Sequence, residues 1–307
     1  MYLDDYLTKA FYKDSPRLYA MDKAMQLNNI KSLENLVKLI RVNIESINIT
    51  KDESIIVLKD GRKYIWNKEN YLDISILFSK NKEDLNCEYM MSQLIKPGNK
   101  VVEVGTCWGR HTVLISKLVG KHGIIHAFEP VESLVKMTQK NLKLNGCVNI
   151  IINNLALSNY YGERKIFVPK NRFLFASLSK GFEDENSEMV CRVTTLNKYL
   201  ETNNIYDIDI VKIDIEGGEM DFIKGASHLF GKDTKPLVIM EVFPHALKKF
   251  NCSVEAIFEA MKEYGYKSYV AQGHRLIPLH VVQDSECIDV FWMTVQHEKS
   301  FDNMIKH

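Results

Sequence analysis

The stretch that decides the fold runs from Lys100 to His111 and reads KVVEVGTCWGRH. Its first five residues are β-like. Two glycines, Gly105 and Gly109, then stand four residues apart ahead of an amphipathic segment. Glycine lets the backbone of a turn approach a ligand without a Cβ in the way, and the start of a helix offers free N–H groups. The stretch therefore predicts a strand, a ligand-binding turn and a helix.

The chain after Lys100 alternates β-like and helical segments, which is typical of an α/β fold with a mainly parallel sheet and helices on both faces. In such a sheet, ligands bind at the carboxyl ends of the strands. We expect the last two strands, which no helix separates, to pair antiparallel at one edge. The predicted strands number seven: KVVEV, GIIHAF, NIIIN, DIVKID, LVIMEV, YKSYVA and IDVFWMTV.

The second predicted strand ends in Glu129, 24 residues after Gly105. An acidic side chain there can accept hydrogen bonds from both hydroxyls of a ribose, which NAD and S-adenosylmethionine both carry. A dinucleotide site typically has GxGxxG, whereas this turn has GxxxG with Trp108 in its middle. The spacing favours the small amino-acid tail of S-adenosylmethionine over a pyrophosphate. A nicotinamide-dependent oxidoreductase is the alternative.

Several further motifs stand in the order of one known family. They are VVEVGTCWG, AFEP, NLKLN, NLALS, VTTL, VKIDIEGGE, KGA and a strand that ends in Glu before Pro244. Together they resemble the FkbM-type family of class I S-adenosylmethionine-dependent methyltransferases over about Glu88 to Val295. The resemblance implies a Rossmann-like seven-stranded sheet and methyl transfer, commonly to a hydroxyl of a sugar or natural product. The family's first motif usually reads Asp-Val-Gly-Ala-Asn-x-Gly, and here Glu103 replaces the Asp and Cys107 the Asn.

The predicted cofactor site lies at the ends of the first four strands of this sheet. Glu103 is costly to bury without a partner, so we expect it to face the cofactor's amino group or backbone donors. Asn154 closes the third strand, where the family contacts adenine, although Asn is also simply common in turns. The full set is Glu103, Gly105, Thr106, Gly109, Glu129, Pro130, Asn154 and Asp214.

The predicted catalytic residues follow the fourth and fifth strands: Asp214, Glu241 and His245. Asp214 and Glu241 should lie on neighbouring strands. Two such carboxylates can hold Mg²⁺, or one can act as a general base with its pKa raised by the other. Alternatively, Glu241 bonds backbone donors and only Asp214 touches the ligands. Because a sulfonium is already an activated methyl donor, the protein must align the acceptor and remove its proton.

We divide the chain into an accessory region, residues 1–97, and a methyltransferase domain, residues 98–307, with an insertion at 158–196. The accessory region should contain an amphipathic helix over Ile30–Ile44, a hairpin around Asp60-Gly61 and a helix over Lys82–Leu94. The first helix has an apolar face that must be buried, so we expect it to cover the acceptor pocket or to contact a second copy of the chain.

The amino-acid composition of the chain limits the classes of partner that we expect it to bind. Forty basic residues against thirty-nine acidic ones, with no basic, aromatic-rich segment, disfavour nucleic acid and hence RNA methylation. No apolar run approaches the roughly 20 residues that span a bilayer. The N-terminal sequence MYLDDYLTKAFYKD does not resemble a signal peptide, and the six cysteines are scattered without a CxxC pair, so we expect reduced thiols in a cytoplasmic protein.

The functional hypothesis is methylation of a hydroxyl on a small-molecule or glycan acceptor. Methylation of an amino group is the nearest variant. The nicotinamide-dependent oxidoreductase and a catalytically silent nucleotide-binding protein are competing hypotheses on the same fold.

Overall fold

The computed structural model describes residues 44–50, 53–66, 82–169, 186–280, 282 and 287–306. The helix predicted over Ile30–Ile44 lies outside these residues except for Ile44, which begins a strand. Among the described helices, none is both long and apolar enough to cross a membrane. All six cysteines lie within the described residues, and none of them is in a disulfide.

The described strands are β1 (Ile44–Ile49), β2 (Ser54–Leu58), β3 (Lys63–Trp66), β4 (Lys100–Val104), β5 (Ile124–Phe128), β6 (Ile150–Asn153), β7 (Ala156–Leu157), β8 (Gly162–Pro169), β9 (Asn186–Thr194), β10 (Ile210–Ile213), β11 (Leu237–Val242), β12 (Lys267–Gln272), β13 (Arg275–Pro278) and β14 (Ile288–Met293). The α-helices are α1 (Lys82–Leu94), α2 (Arg110–Val119), α3 (Glu132–Leu144), α4 (Leu196–Thr202), α5 (Glu219–Gly225), α6 (Ser227–Phe230), α7 (Pro244–Lys248), α8 (Val254–Glu263) and α9 (Val295–Ser300).

The main sheet confirms the α/β prediction and all seven predicted strands. Its order is β13-β12-β14-β11-β10-β4-β5-β6. Strands β11, β10, β4, β5 and β6 are parallel, and β12 and β14 pair antiparallel as predicted. The count was wrong by one, since β13 adds an eighth strand at the edge after a turn at Gly273. A four-residue strand, RLIP, gives too short a pattern to be recognised.

Helices cover the sheet on both faces, which explains why the central strands are apolar throughout. One core cluster joins the sheet to α4, α5, α6 and α8, and another joins it to α1 and α2. Each aliphatic side chain fully buried there contributes about 1.5–3 kcal/mol. Helix α1, which lies before the predicted domain boundary, packs its Met90, Met91 and Leu94 into the second cluster.

The predicted hairpin is present as β2 and β3, with β1 completing a three-stranded sheet. Gly61 has a φ of 82° in the connecting turn, the left-handed conformation that the Asp-Gly pair predicts. This sheet packs on α2 and α3 through a cluster that includes Ile56, Tyr64 and Trp108.

The predicted insertion contributes β8 and β9 to a second three-stranded sheet of order β7-β9-β8, and β7 comes just before the insertion. Strands β8 and β9 pair antiparallel over eight residue pairs, from Gly162 opposite Val193 to Pro169 opposite Asn186. They contain the segments RKIFV and EMVCRVT of the insertion, whereas FLFASLS lies outside the described residues.

Candidate active site

Strand register brings five of the ten predicted site residues into one row along the carboxyl edge of the main sheet. Backbone bonds from the N–H of Asp214 to Val104, of Gly105 to Phe128 and of Glu129 to Asn153 extend the parallel ladders by one residue. Glu241 lies opposite Asp289 in the β11–β14 pair. The resulting row is Asn154, Glu129, Gly105, Asp214, Glu241 and Asp289.

The glycines of the first turn are required by its backbone geometry. Gly105 and Gly109 have φ values of 83° and 88°, which L side chains rarely adopt. A Cβ at Gly105 would lie 1.8 Å from the carbonyl oxygen of Asp214, and one at Gly109 would lie 3.0 Å from the Thr138 methyl group. The turn is therefore packed tightly against both β10 and α3.

Two turns of the site hold non-glycine residues in the left-handed region. Cys107 and Glu216 have φ values of 51° and 55°. Within the described residues, the only other cases are Asn204 and Asn251, and Asn is a common occupant of this region. Strained backbone of this kind persists where the surrounding structure enforces it, often at functional sites.

The two carboxylate oxygens of Glu129 bind backbone N–H groups in two turns, the one after β4 and the one after β5. They accept hydrogen bonds from the backbone N–H groups of Cys107 (2.9 Å) and Val131 (3.0 Å). Burial raises the pKa of Glu129 to about 7, against the lowering effect of those bonds. Each oxygen keeps a further lone pair, so a ribose contact stays a prediction that these bonds do not preclude.

Asn154 also supports the second turn. Its side-chain amide donates to the carbonyl oxygens of Glu129 and Pro130, at 2.9 Å each. This contact fixes the path of the chain after β5. The predicted roles of Asn154 at adenine and of Pro130 at the cofactor stay predictions.

The first turn offers polar atoms suited to a ligand. One carboxylate oxygen of Glu103 and the hydroxyl of Thr106 are buried without a hydrogen-bond partner in the described part of the chain. Burial raises the pKa of Glu103 to about 8. Buried polar atoms are nearly always hydrogen-bonded, and a carboxylate and a hydroxyl suit the charged amino-acid tail of S-adenosylmethionine. The residues present therefore fit this cofactor.

A buried cation, Lys212, lies beneath the row. Its side chain is 2% exposed, and its Nζ lies 3.2 Å from Asp289 Oδ1 and 3.6 Å from Asp214 Oδ2. Burial by itself would lower the pKa of Lys212, but the two carboxylates raise it above its usual range. Lys212 is also the register partner of Glu103 on β4. The cation thus joins the acidic groups of three strands.

Three carboxylates, one of them that of Asp214, converge at the carboxyl edge of the sheet. Asp214, Glu216 and Glu241 each offer one oxygen, and these oxygens all lie within 4.8 Å of one another. Burial, followed by repulsion from Asp214, raises the pKa of Glu216 to about 8 and that of Glu241 well above its usual range. Burial, followed by the neighbouring carboxylates of Glu241 and Glu216, raises the pKa of the Cys287 thiol above its usual range. Such a group can share a proton or hold a cation.

The remaining predicted residue, His245, lies on a helix that packs against the turn after β10. His245 is in the first turn of α7, and its ring lies 5.7 Å from that of Phe243. A Cβ at Gly217 would lie 2.4 Å from the carbonyl oxygen of Ala246, so α7 packs closely on the turn after β10. A catalytic role for His245 stays a prediction. Trp108 is packed edge-on against Tyr64, with ring centroids 5.0 Å apart.

Lys212 and Asp289 were not predicted as site residues from the sequence, and Glu216 had no predicted role. The available signal was a charged residue inside an otherwise apolar strand pattern, as in IVKI and IDVFW. A charge is rarely buried in such a place unless it is paired, so a lysine in one strand and an aspartate in another indicate a buried ion pair.

Comparisons with known proteins point to one family. The sequence profile described as the methyltransferase FkbM domain matches residues 103–268, more than half of the chain. A protein-L-isoaspartate O-methyltransferase of Fervidobacterium nodosum is 34% identical over 89 residues, which cover 27% of this chain and 43% of that protein. One from Methanosarcina mazei is 38% identical over 65 residues, covering 20% of this chain and 27% of that protein. The chain thus spans less than half the length of these curated relatives.

The solved structures to which the chain is similar include methyltransferases. An S-adenosylmethionine-dependent methyltransferase from Aquifex aeolicus is 16% identical with a TM-score of 0.41, over 74% of this chain and 97% of that one. An S-adenosylmethionine-dependent O-methyltransferase from Thermotoga maritima is 14% identical with a TM-score of 0.40, over 82% and 86%. Such distant likenesses say nothing of the substrate.

The profile match begins at Glu103, in the first strand of the site, and ends at Ser268, so it contains every predicted site residue. On this match, the chain belongs to the FkbM family of S-adenosylmethionine-dependent methyltransferases.

Proposed function

We propose that the protein transfers a methyl group to a hydroxyl of a sugar, glycoconjugate or natural product, and that the acceptor lies against Asp214, Glu216 and Glu241. The observation that carries the proposal is the convergence of these three carboxylates within 4.8 Å. They lie next to the turn in which an oxygen of Glu103 and the hydroxyl of Thr106 have no hydrogen-bond partner among the described residues. A hydroxyl is a poor nucleophile at neutral pH and needs a base or a metal ion close by.

Glu241 is the proposed proton acceptor. A general base works best with a pKa near the working pH, and burial next to Asp214 raises the pKa of Glu241 from its usual value. The side chain of Asp214 is 31% exposed, and its Oδ2 lies 3.6 Å from the ammonium nitrogen of the buried Lys212. We assign Asp214 the positioning of the acceptor and contact with positive charge on the cofactor, which supplies the activated methyl group when bound.

A divalent cation is the second candidate for activating the hydroxyl. Carboxylate oxygens are the ligands that Mg²⁺ prefers, and Glu216 supplies a third one beside the two predicted from the sequence. The same negative charge also favours an amine acceptor, which keeps N-methylation as the alternative reaction.

The test is methyl transfer from labelled S-adenosylmethionine to a panel of saccharides, polyols and matched amines. Once an acceptor is found, Asp214→Asn and Glu241→Gln should each lower kcat by about 10²–10⁴-fold, with Glu259→Gln on the exposed face of α8 as control. If both variants lose activity and a chelator has no effect on the wild type, the carboxylates act in catalysis without a metal ion. Full activity in both variants would sink the proposal, and transfer to amines alone would replace it with N-methylation.

A further inference from the structure

The N-terminal hairpin touches the cofactor turn directly. Tyr64 on β3 is fully buried, and its ring packs against Trp108, between the two glycines of the turn. Its hydroxyl donates to the carbonyl oxygen of Arg110 at 3.1 Å. Arg110 is the first residue of α2 and follows Gly109. One hairpin side chain thus contacts both the middle and the end of the turn.

A buried chain of charges makes a second connection. Arg62 of the hairpin reaches Glu88 of α1 at 2.6 Å. The other oxygen of Glu88 accepts a hydrogen bond from Arg110 Nε at 3.1 Å and lies 3.0 Å from Arg110 Nη2 in an ion pair. The exposed fractions of these side chains are 3%, 8% and 13%. A carboxylate that binds a different buried guanidinium group with each of its oxygens is strongly oriented, and Arg62 is itself fixed further by an ion pair with Asp60 at 2.7 Å.

Helix α3 completes the connection from the other side. Asn141 accepts from the N–H of Ile65 at 2.8 Å and donates to the carbonyl oxygen of Trp108 at 2.8 Å. Thr138 donates to the carbonyl oxygen of Cys107 at 2.8 Å. The turn is therefore held at Cys107, Trp108 and Arg110, and the hairpin takes part in two of these contacts.

We propose that the hairpin of β2 and β3 is a positioning element for the cofactor, in which Tyr64 and the Arg62–Glu88–Arg110 chain hold residues 107–110 in the conformation that binds S-adenosylmethionine. The strained φ of Cys107 is a reason why the turn needs this support, since a left-handed non-glycine residue relaxes when its contacts are lost. The hairpin is thereby assigned to the cofactor, whereas the N-terminal region was expected from its sequence to cover the acceptor pocket or contact a second copy of the chain. The inference rests on the cofactor assignment and is independent of the acceptor.

The test measures the affinity of the full-length protein for S-adenosylhomocysteine by calorimetry. Glu88→Gln removes the shared charge, and Tyr64→Phe removes the hydroxyl but keeps the ring on Trp108. Lys165→Gln, which breaks an exposed ion pair with Glu188 in the insertion, is the matched control. All titrations are made well below each variant's melting temperature, so that only folded protein is compared.

We expect Glu88→Gln to weaken binding about tenfold and Tyr64→Phe about fivefold, in the range usual for coupled sites, with no change for Lys165→Gln. Coupling is reciprocal, so the ligand should also slow amide hydrogen exchange in hairpin residues 54–66. A hairpin that only stabilises the fold would lower melting temperatures yet leave the affinity of folded protein unchanged.

Three results would overturn the proposal. The first is wild-type affinity in folded Tyr64→Phe and Glu88→Gln. The second is amide hydrogen exchange in the hairpin that is the same with and without the ligand. This is measured on the wild type, so it tests the proposal even if Glu88→Gln does not fold. The third is a wild-type protein that does not bind S-adenosylhomocysteine. This result would overturn the cofactor assignment as well, whereas the first two would leave that assignment in place.

Discussion

Replacing Gly105 by alanine tests whether the first turn is built as described. The new Cβ would lie 1.8 Å from the carbonyl oxygen of Asp214 and 2.9 Å from its carbonyl carbon, so the end of β10 must move by more than an ångström. Placing an L residue at a φ of 83° costs about 1–2 kcal/mol. Overpacking adds about 1–3 kcal/mol. The free energy of unfolding should therefore fall by about 2–5 kcal/mol.

Gly98→Ala separates the two contributions. Gly98 has a φ of 90°, but a Cβ there would meet nothing within 4 Å, so only the conformational cost of about 1–2 kcal/mol applies. Thermal unfolding and calorimetry with S-adenosylhomocysteine measure both variants. We expect Gly98→Ala to bind normally, and Gly105→Ala to melt lower and to lose binding. Equal melting temperatures with normal binding in Gly105→Ala would refute the tight contact between the turn and β10.

Three further predictions concern charged groups. Glu129→Ala leaves two buried N–H groups without an acceptor, at about 1–3 kcal/mol each, so melting temperature and calorimetric cofactor affinity should both fall; unchanged affinity would remove Glu129 from the site. Burial raises the pKa of Glu103 from 4.5 to about 8, so its contribution to stability is full below about pH 4.5 and is lost as the pH rises to about 8. Glu103→Gln should therefore flatten that part of the melting-temperature profile of cofactor-free protein, and identical profiles would contradict this. Lys212→Met leaves the carboxylates of Asp214 and Asp289 uncompensated and should cost about 3–5 kcal/mol in a denaturant titration, part of which Asp289→Asn should restore; a single variant as stable as the wild type would refute the pairing.

The parts of the fold that the sequence predicted are those set by local chemistry. Apolar runs such as LVIMEV are typical of strands buried on both faces, and Asp60-Gly61 specifies a hairpin through its left-handed glycine. Glu129, Asp214 and Glu241 could be placed at one edge because parallel strands end together. The eighth strand, RLIP, lacked such a pattern and forms because it pairs with β12.

The parts that could not be predicted depend on contacts between distant segments. Asp289 meets Lys212 because the last strand inserts next to β11 and runs antiparallel to it. The link from Arg62 through Glu88 to Arg110 joins three elements with no common motif. The glycine at 105 was expected to make room for a ligand, whereas the structure shows that it first makes room for the backbone of Asp214.

The central claim, that the carboxyl edge of the sheet binds S-adenosylmethionine rather than a nicotinamide dinucleotide, is tested most directly by thermal unfolding with S-adenosylhomocysteine and with NADH. A ligand that binds only the native state at a hundred times its Kd stabilises it by about 2.7 kcal/mol, or roughly 5–11 °C for a domain of this size. We predict this shift with S-adenosylhomocysteine and none with NADH. A shift with NADH alone would contradict the account.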